Sequence, residues 1–207
     1  MYKLNIGLKF LFLIKILFIY LLISLKSFAD DASLQKNLIY IGSNEAKVKI
    51  KVFSSLTCPH CADFHINVVT KIEKEYVESG KVQIIFIDFP LDQAAFNASK
   101  LLNCLDKKKQ MVFLDSIYET QSKWTNGSNI DAINVNLKKI VEALGESSEK
   151  FEKCLVDENV SDKILNDRIE AMKKYSIEST PTVVINEKKL DGSTTFENIK
   201  KKIESII

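Results

Sequence analysis

Two cysteines separated by two residues, Cys58 and Cys61 in the string SLTCPHC, are the residues of this 207-residue chain best suited to chemistry. Thiols at this spacing can close a disulfide ring or open one, because a thiolate attacks a disulfide sulfur and passes through a mixed disulfide. The run VKIKVF ahead of the pair reads as a short strand and the residues from Cys58 onward as a helix. At such a junction the first sulfur lies beside the unpaired N–H groups and positive end of the helix, which favours thiolate over thiol. Cys58 is therefore read as the exposed nucleophile, and Cys61, one turn in and shielded, as the resolving partner. Pro59 stands where a helix tolerates proline. His60 can donate to the Cys58 sulfur, stabilising the reduced form and making the disulfide a stronger oxidant.

A CxxC pair also occurs in zinc sites, but such sites commonly want four ligands, and the only other histidine, His65, lies in the same helix. No metal and no cofactor are expected, and His65 receives no role. Thr180 and Pro181 form a second constellation, since an X-Pro bond directly before a strand can be held cis. The remaining cysteines are Cys104 and Cys154. Three pairings of four cysteines are possible on paper, and the short Cys58–Cys61 gap makes that pair the natural local one. Cys104 and Cys154 then form a structural bond, remain two free buried cysteines, or act as a second redox pair.

The elements that position these residues are read from periodicity. Val48 to Phe53 and Val82 to Asp88 are β-rich runs on either side of a helix from Cys58 to Glu78, with Ile66, Val69, Ile72 and Tyr76 on its buried side and Gly80 ending it. A strand, helix, strand unit favours parallel pairing. Ala94 to Leu105 and Phe113 to Tyr118 carry two helical stripes; further helices cover Ile130 to Leu144, the region of Phe151, Cys154 and Leu155, and Asp162 to Tyr175. In the last of these, Ile164, Leu165, Ile169 and Met172 are expected to face inward. Thr182 to Ile185 and Lys188 to Leu190 read as a hairpin about Asn186 and Glu187, and a final helix begins at a capping box of Thr194 and Glu197. Trp124 is read as core packing.

The first residues differ from the rest. Lys3 and Lys9 precede an apolar run from Phe10 to Leu25, interrupted by Lys15, and Ser27, Phe28 and Ala29 offer a small-x-small cleavage site. That is the layout of a secretory signal peptide of residues 1–29, with an uncleaved anchor as the rival reading. The formal charge of +2 includes four lysines of this segment, and its removal leaves 25 basic against 27 acidic residues, so nucleic-acid binding has no charge support. Export also sends the cysteines to a compartment where disulfides persist.

SLTCPHC before a helix, then GKVQIIFIDFPLD, a helical stretch and STPTVVIN resemble the DsbA-like branch of the thioredoxin superfamily over nearly the whole mature chain. The resemblance implies an α/β thioredoxin fold with an inserted helical subdomain: thioredoxin-like domain 30–90 and 176–207, insertion 91–175. It maps Cys58 and Cys61 onto the redox pair, Pro59 and His60 onto its intervening dipeptide, and Thr180 and Pro181 onto a cis-proline loop that binds substrate. Related chains with a second pair in the helical region favour a structural bond between Cys104 and Cys154, which would close a loop of about fifty residues and stabilise by roughly 4 kcal/mol. The implied function is an exported, monomeric protein-disulfide oxidoreductase of the periplasm. It would donate its disulfide to cysteines of secreted client proteins and be reoxidised by a membrane quinone-linked partner of the DsbB type. The alternatives are a periplasmic reductase or isomerase, and a metal-binding or chaperone module without turnover. One departure stands out: members of this branch commonly carry an acid on the strand before the motif, where this chain has Val52 between Lys51 and Phe53.

Overall fold

The two β-branched runs become the centre of a sheet. Val48–Ser54 forms β2 and Val82–Asp88 forms β3, and they pair in parallel from Val48 opposite Val82 to Ser54 opposite Asp88. The computed structural model describes residues 38–207, so the expected signal peptide of residues 1–29, with cleavage after Ala29, lies outside the described residues. β4 (Thr182–Ile185) runs antiparallel along the other side of β2, and β5 (Lys188–Lys189) folds back on it through Asn186 and Glu187, both at positive φ. A strand absent from the sequence reading, β1 (Ile39–Ile41), pairs antiparallel with β3, giving the order β1-β3-β2-β4-β5. Three residues are too few to display a period of two.

Each face of the sheet is covered. Val48, Ile50 and Val52 of β2, with Ile84, Val183 and Ile185, pack on one side against Val69, Ile72, Ile199 and Ile203. Phe53 and Val184 point the other way and meet Phe89, Ala171 and Ile177. The alternation arises from the opposite directions of successive side chains along a strand.

Helix α1 (59–77) alternates α turns, Pro59–Phe64 and Thr70–Ile72, with π turns, His65–Val69 and Glu73–Val77. Each π turn holds an extra residue and shifts the phase of the helix beyond it. Hence His65, Val69, Ile72 and Tyr76 turn inward, whereas Ile66, expected on the buried side, is 42% exposed. Gly80, at φ +73, ends the helix with its N–H on the Val77 carbonyl at 2.9 Å.

Between β3 and β4 lie six helices: α2 (Gln93–Cys104), α3 (Lys107–Glu119), α4 (Gln121–Trp124), α5 (Ile130–Ala143), α6 (Ser148–Leu155) and α7 (Glu158–Tyr175). Asp92, Asn129, Ser147 and Asp157 cap four of them through side-chain oxygens. Leu101, Phe113, Ile117 and Leu137 share one core with buried Trp124, whose indole N–H donates to the Ile117 carbonyl at 2.8 Å. That core includes Leu56 and Cys61, so the insertion packs directly beneath the CxxC pair. Cys104 and Cys154 join the end of α2 to α6 in a disulfide with Cα atoms 5.7 Å apart.

Two expectations are corrected. α7 begins at Glu158 rather than Asp162, because Asp157 supplies the cap, and it buries Ile164 and Ala171 alone. These lie seven residues apart on one narrow seam; Leu165, Ile169 and Met172, expected inward, are 43–47% exposed. The last helix, α8 (Phe196–Glu204), is capped by Thr195 and not by a Thr194–Glu197 box. Asn198 explains the shift: its backbone N–H donates to Thr195 Oγ1 while its side chain donates to the Asp191 and Ser193 carbonyls, fixing the preceding turn.

Candidate active site

β2 ends at Ser54, and three further residues bring Cys58 to the N-cap of α1 in extended conformation, with Pro59 at the first helical position. The Cys58 N–H donates to the Ser55 carbonyl at 3.1 Å, and its own carbonyl accepts from the N–H groups of Cys61 and Ala62 at 3.0 and 3.2 Å. The sulfur caps nothing in the helix. It faces the Thr180 carbonyl at 3.5 Å, and the Thr180–Pro181 bond is cis. Cys58 is half-buried and Cys61 is 1% exposed, both as free thiols. Burial pushes the Cys61 thiol up to about 12, against the opposing influence of the Thr180 side chain and the Ser55 backbone.

The insertion grips this loop from outside. Gln121 Nε2 donates to the Leu56 and Cys58 carbonyls at 2.8 and 3.1 Å. Thr57 Oγ1 donates to Asp92 Oδ2 at 2.7 Å, while Asp92 Oδ1 caps α2 by accepting from Ala95 N. Thus Cys58 and the two residues before it are tied to the starts of α2 and α4.

Below the pair lies a polar layer. Burial holds the Tyr118 hydroxyl well above the usual phenol range, and the neighbouring Cys61 acts in the same direction. Asp88, opposite Ser54 in the sheet, is likewise raised by burial although Ser99 Oγ and Asn103 Nδ2 donate to its carboxylate at 2.6 and 2.7 Å. His65 Nε2 donates to Asp115 Oδ1 at 2.7 Å, with its ring 4.8 Å from that of Tyr118. The strand before the motif carries Val52, and a half-buried carboxyl, Asp88, stands instead on β3.

The structure brings together Cys58, Pro59, His60, Cys61, Thr180 and Pro181; His60 is exposed at the second position of α1. Cys104 and Cys154 stand apart in the insertion. Sequence reasoning missed Gln121, Asp92, Asp88 and the His65–Asp115 pair. Only Asp92 had a local signal, an acid directly before an Ala-rich helix.

A family model described as Thioredoxin matches residues 34–205. The chain belongs to the thioredoxin family. Within it the chain is DsbA-like, an α/β thioredoxin fold with a helical insertion. The crystal structure of Wolbachia pipientis alpha-DsbA1 superposes with a TM-score of 0.75 at 28% identity, over 82% of this chain and 90% of that one. A Bacillus anthracis protein named "Probable disulfide bond formation protein D" is 28% identical over 169 residues, 79% of this chain and 76% of the relative. Oxidised BdbD from Bacillus subtilis shares the fold, with a TM-score of 0.72 at 21% identity over 82% and 92% of the two chains.

Proposed function

We propose that this thiol:disulfide oxidoreductase is an exported protein-disulfide oxidase that donates a Cys58–Cys61 disulfide to cysteines of secreted or periplasmic proteins. The observation that carries the reading is the asymmetry of the pair: a half-buried sulfur at a helix N-cap, facing the Thr180 carbonyl, beside a thiol that burial holds protonated. The names of the Bacillus and Wolbachia relatives support it.

In the oxidised form a client thiolate attacks Cys58 Sγ. The client–Cys58 bond forms, the Cys58–Cys61 bond breaks, and Cys61 leaves as a thiolate that takes up a proton, since its thiol keeps one up to about 12. A second client thiolate then attacks the client sulfur of the mixed disulfide. The client disulfide closes and Cys58 departs as a thiolate beside the helix N-terminus. The client has lost two electrons and two thiol protons, and the enzyme is left as a dithiol. A membrane quinone-linked partner of the DsbB type accepts those electrons and re-forms the ring.

In this reading Pro59 and His60 tune the pair, Thr180 and Pro181 bind substrate, and the Cys104–Cys154 bond is structural. Thioredoxin-like segments 30–90 and 176–207 flank a helical subdomain of 91–175. The protein is a periplasmic monomer, exported by residues 1–29. Oxidative refolding of a reduced test protein in a glutathione buffer provides the test. The wild-type protein should accelerate disulfide formation and Cys58→Ser should not; equal rates for the two would overturn the reading.

A further inference from the structure

The Cys61 sulfur is shut off from water, yet each exchange of the pair obliges it to gain or lose a proton. A group inside the protein has to carry that proton. We propose that Tyr118, Ser54 and Asp88 form the proton path of Cys61, running from its sulfur through the Tyr118 and Ser54 hydroxyls to the Asp88 carboxyl and solvent. The inference rests on Cys58 and Cys61 being the reacting pair, and it holds whichever direction of exchange prevails.

Position is the first argument. Val52 and Ser54 of β2 stand opposite Phe86 and Asp88 of β3, and the alternation of side chains along a strand puts all four on one face of the sheet. The His65 ring, one turn after Cys61 on α1, lies 5.7 Å from the Phe86 ring and 4.8 Å from the Tyr118 ring. Tyr118, Phe86 and both cysteines belong to one core cluster. α3 thus delivers the Tyr118 hydroxyl between the buried sulfur and the ends of β2 and β3, where it meets the Ser54 side chain.

The second argument is what each group can do with a proton. Burial, with Cys61, Asp88 and Cys58 acting in the same direction, holds the Tyr118 hydroxyl well above the usual phenol range, so it stays an O–H donor. A hydroxyl both donates and accepts, and therefore Tyr118 and Ser54 can each pass a proton on without keeping a charge. Asp88 can store one. Burial favours its neutral acid, whereas Ser99 Oγ and Asn103 Nδ2 donate at 2.6 and 2.7 Å and favour the carboxylate; Lys163 and Asp167 of α7 act on it in opposite senses. Ser54 and Asp88 are only part-buried, so the path opens to water at that end. His65, the other titratable side chain against Tyr118, has Nε2 committed to Asp115 at 2.7 Å.

When a thiolate attacks Cys58 Sγ, the Cys58–Cys61 bond breaks and Cys61 Sγ departs with the electron pair. It takes the Tyr118 hydroxyl proton, Tyr118 Oη takes that of Ser54, Ser54 Oγ takes that of the Asp88 carboxyl, and water reloads Asp88. Ring closure runs the same transfers backwards, with the Asp88 carboxylate as acceptor.

Such a path changes rates and leaves equilibria alone, because one barrier is crossed in both directions. Oxidised protein is mixed with glutathione. Acid quench and mass spectrometry then time the formation of the Cys58–glutathione mixed disulfide and its decay by attack of Cys61. Tyr118→Phe keeps the buried ring and loses the hydroxyl, while Asp88→Asn keeps the shape and loses the proton. Each should slow both steps by the same factor, roughly tenfold or more, and leave the equilibrium with glutathione within about twofold of wild type. Thermal melts check that the variants are folded, and D88N, at the part-exposed end, decides the matter if Y118F is not. Wild-type rates in either folded variant overturn the path, as does a rate loss matched by a shifted equilibrium, which marks disturbed packing. A wild-type protein that forms no mixed disulfide at Cys58 overturns the reading of the pair and the path with it.

Discussion

Replacing Cys58 with serine leaves Cys61 as the single free thiol of the chain, and the burial of that thiol then becomes measurable as stability. Unfolded, Cys61 ionises at its ordinary 9.0; folded, it keeps its proton to about 12, chiefly because it is buried. The folded value is the raised one. Its contribution is therefore whole below pH 9.0 and is lost as pH climbs toward about 12, because only the unfolded chain sheds the proton in that window. Each pH unit there removes about 1.4 kcal/mol, or roughly 4 kcal/mol across the window. Urea denaturation of C58S at about pH 8 and about pH 10.5 should differ by about 2 kcal/mol from this source alone. Lysines and tyrosines titrate in the same range, so C58S/C61A serves as reference, and the slope belonging to Cys61 is the difference between the two variants. Parallel pH profiles for the two, or thiolate absorbance appearing near 9 in folded C58S, would refute the burial argument.

Two further outcomes come from the packing. C104A/C154A opens a cross-link spanning 50 residues and should cost about 4 kcal/mol by urea denaturation, while leaving the equilibrium of the CxxC pair with glutathione within about threefold; a loss under about 1 kcal/mol would show that the helices of the insertion hold themselves. At acid pH the hairpin carries a different dependence. Burial opposes it, but Lys174, Lys51 and Tyr175 bind the Glu187 carboxylate and bring it down to about 2. Its contribution is present above 4.5 and is lost as pH falls toward about 2. With the side chain 52% exposed, screening limits the effect to under about 1 kcal/mol. E187Q should flatten the acid limb of the thermal midpoint between about pH 5 and about pH 3 relative to wild type, and an unchanged limb would refute the assignment.

The central β-strands and the placing of the CxxC pair at a helix start were legible because their signals are local: continuous β-branched residues in Val82–Asp88, and a proline between two cysteines at a strand-to-helix junction. The helical stripes holding Leu101 and Leu102 in α2 and Phe113 and Leu114 in α3 were equally plain, and all four residues are buried. What failed depended on partners distant in sequence. A π turn at His65–Val69 cannot be read from HINVV, so the exposure of Ile66 came only from the structure. The stripe Leu165, Ile169 and Met172 has good helical spacing, yet α7 buries Ile164 and Ala171 instead, the latter against Phe53 and Val184 of the sheet. Gln121 reaches back 63 residues to the Cys58 carbonyl, and His65 finds Asp115 across 50. Neither a lone glutamine nor a lone histidine announces such a partner.

The reduction potential of the Cys58–Cys61 pair, measured by equilibration with glutathione, tests the proposed direction of exchange most directly. An oxidase of exported proteins should lie above about −200 mV, toward the strongly oxidising end of the superfamily. A value near thioredoxin's, about −270 mV, would contradict it and mark the protein as a reductase.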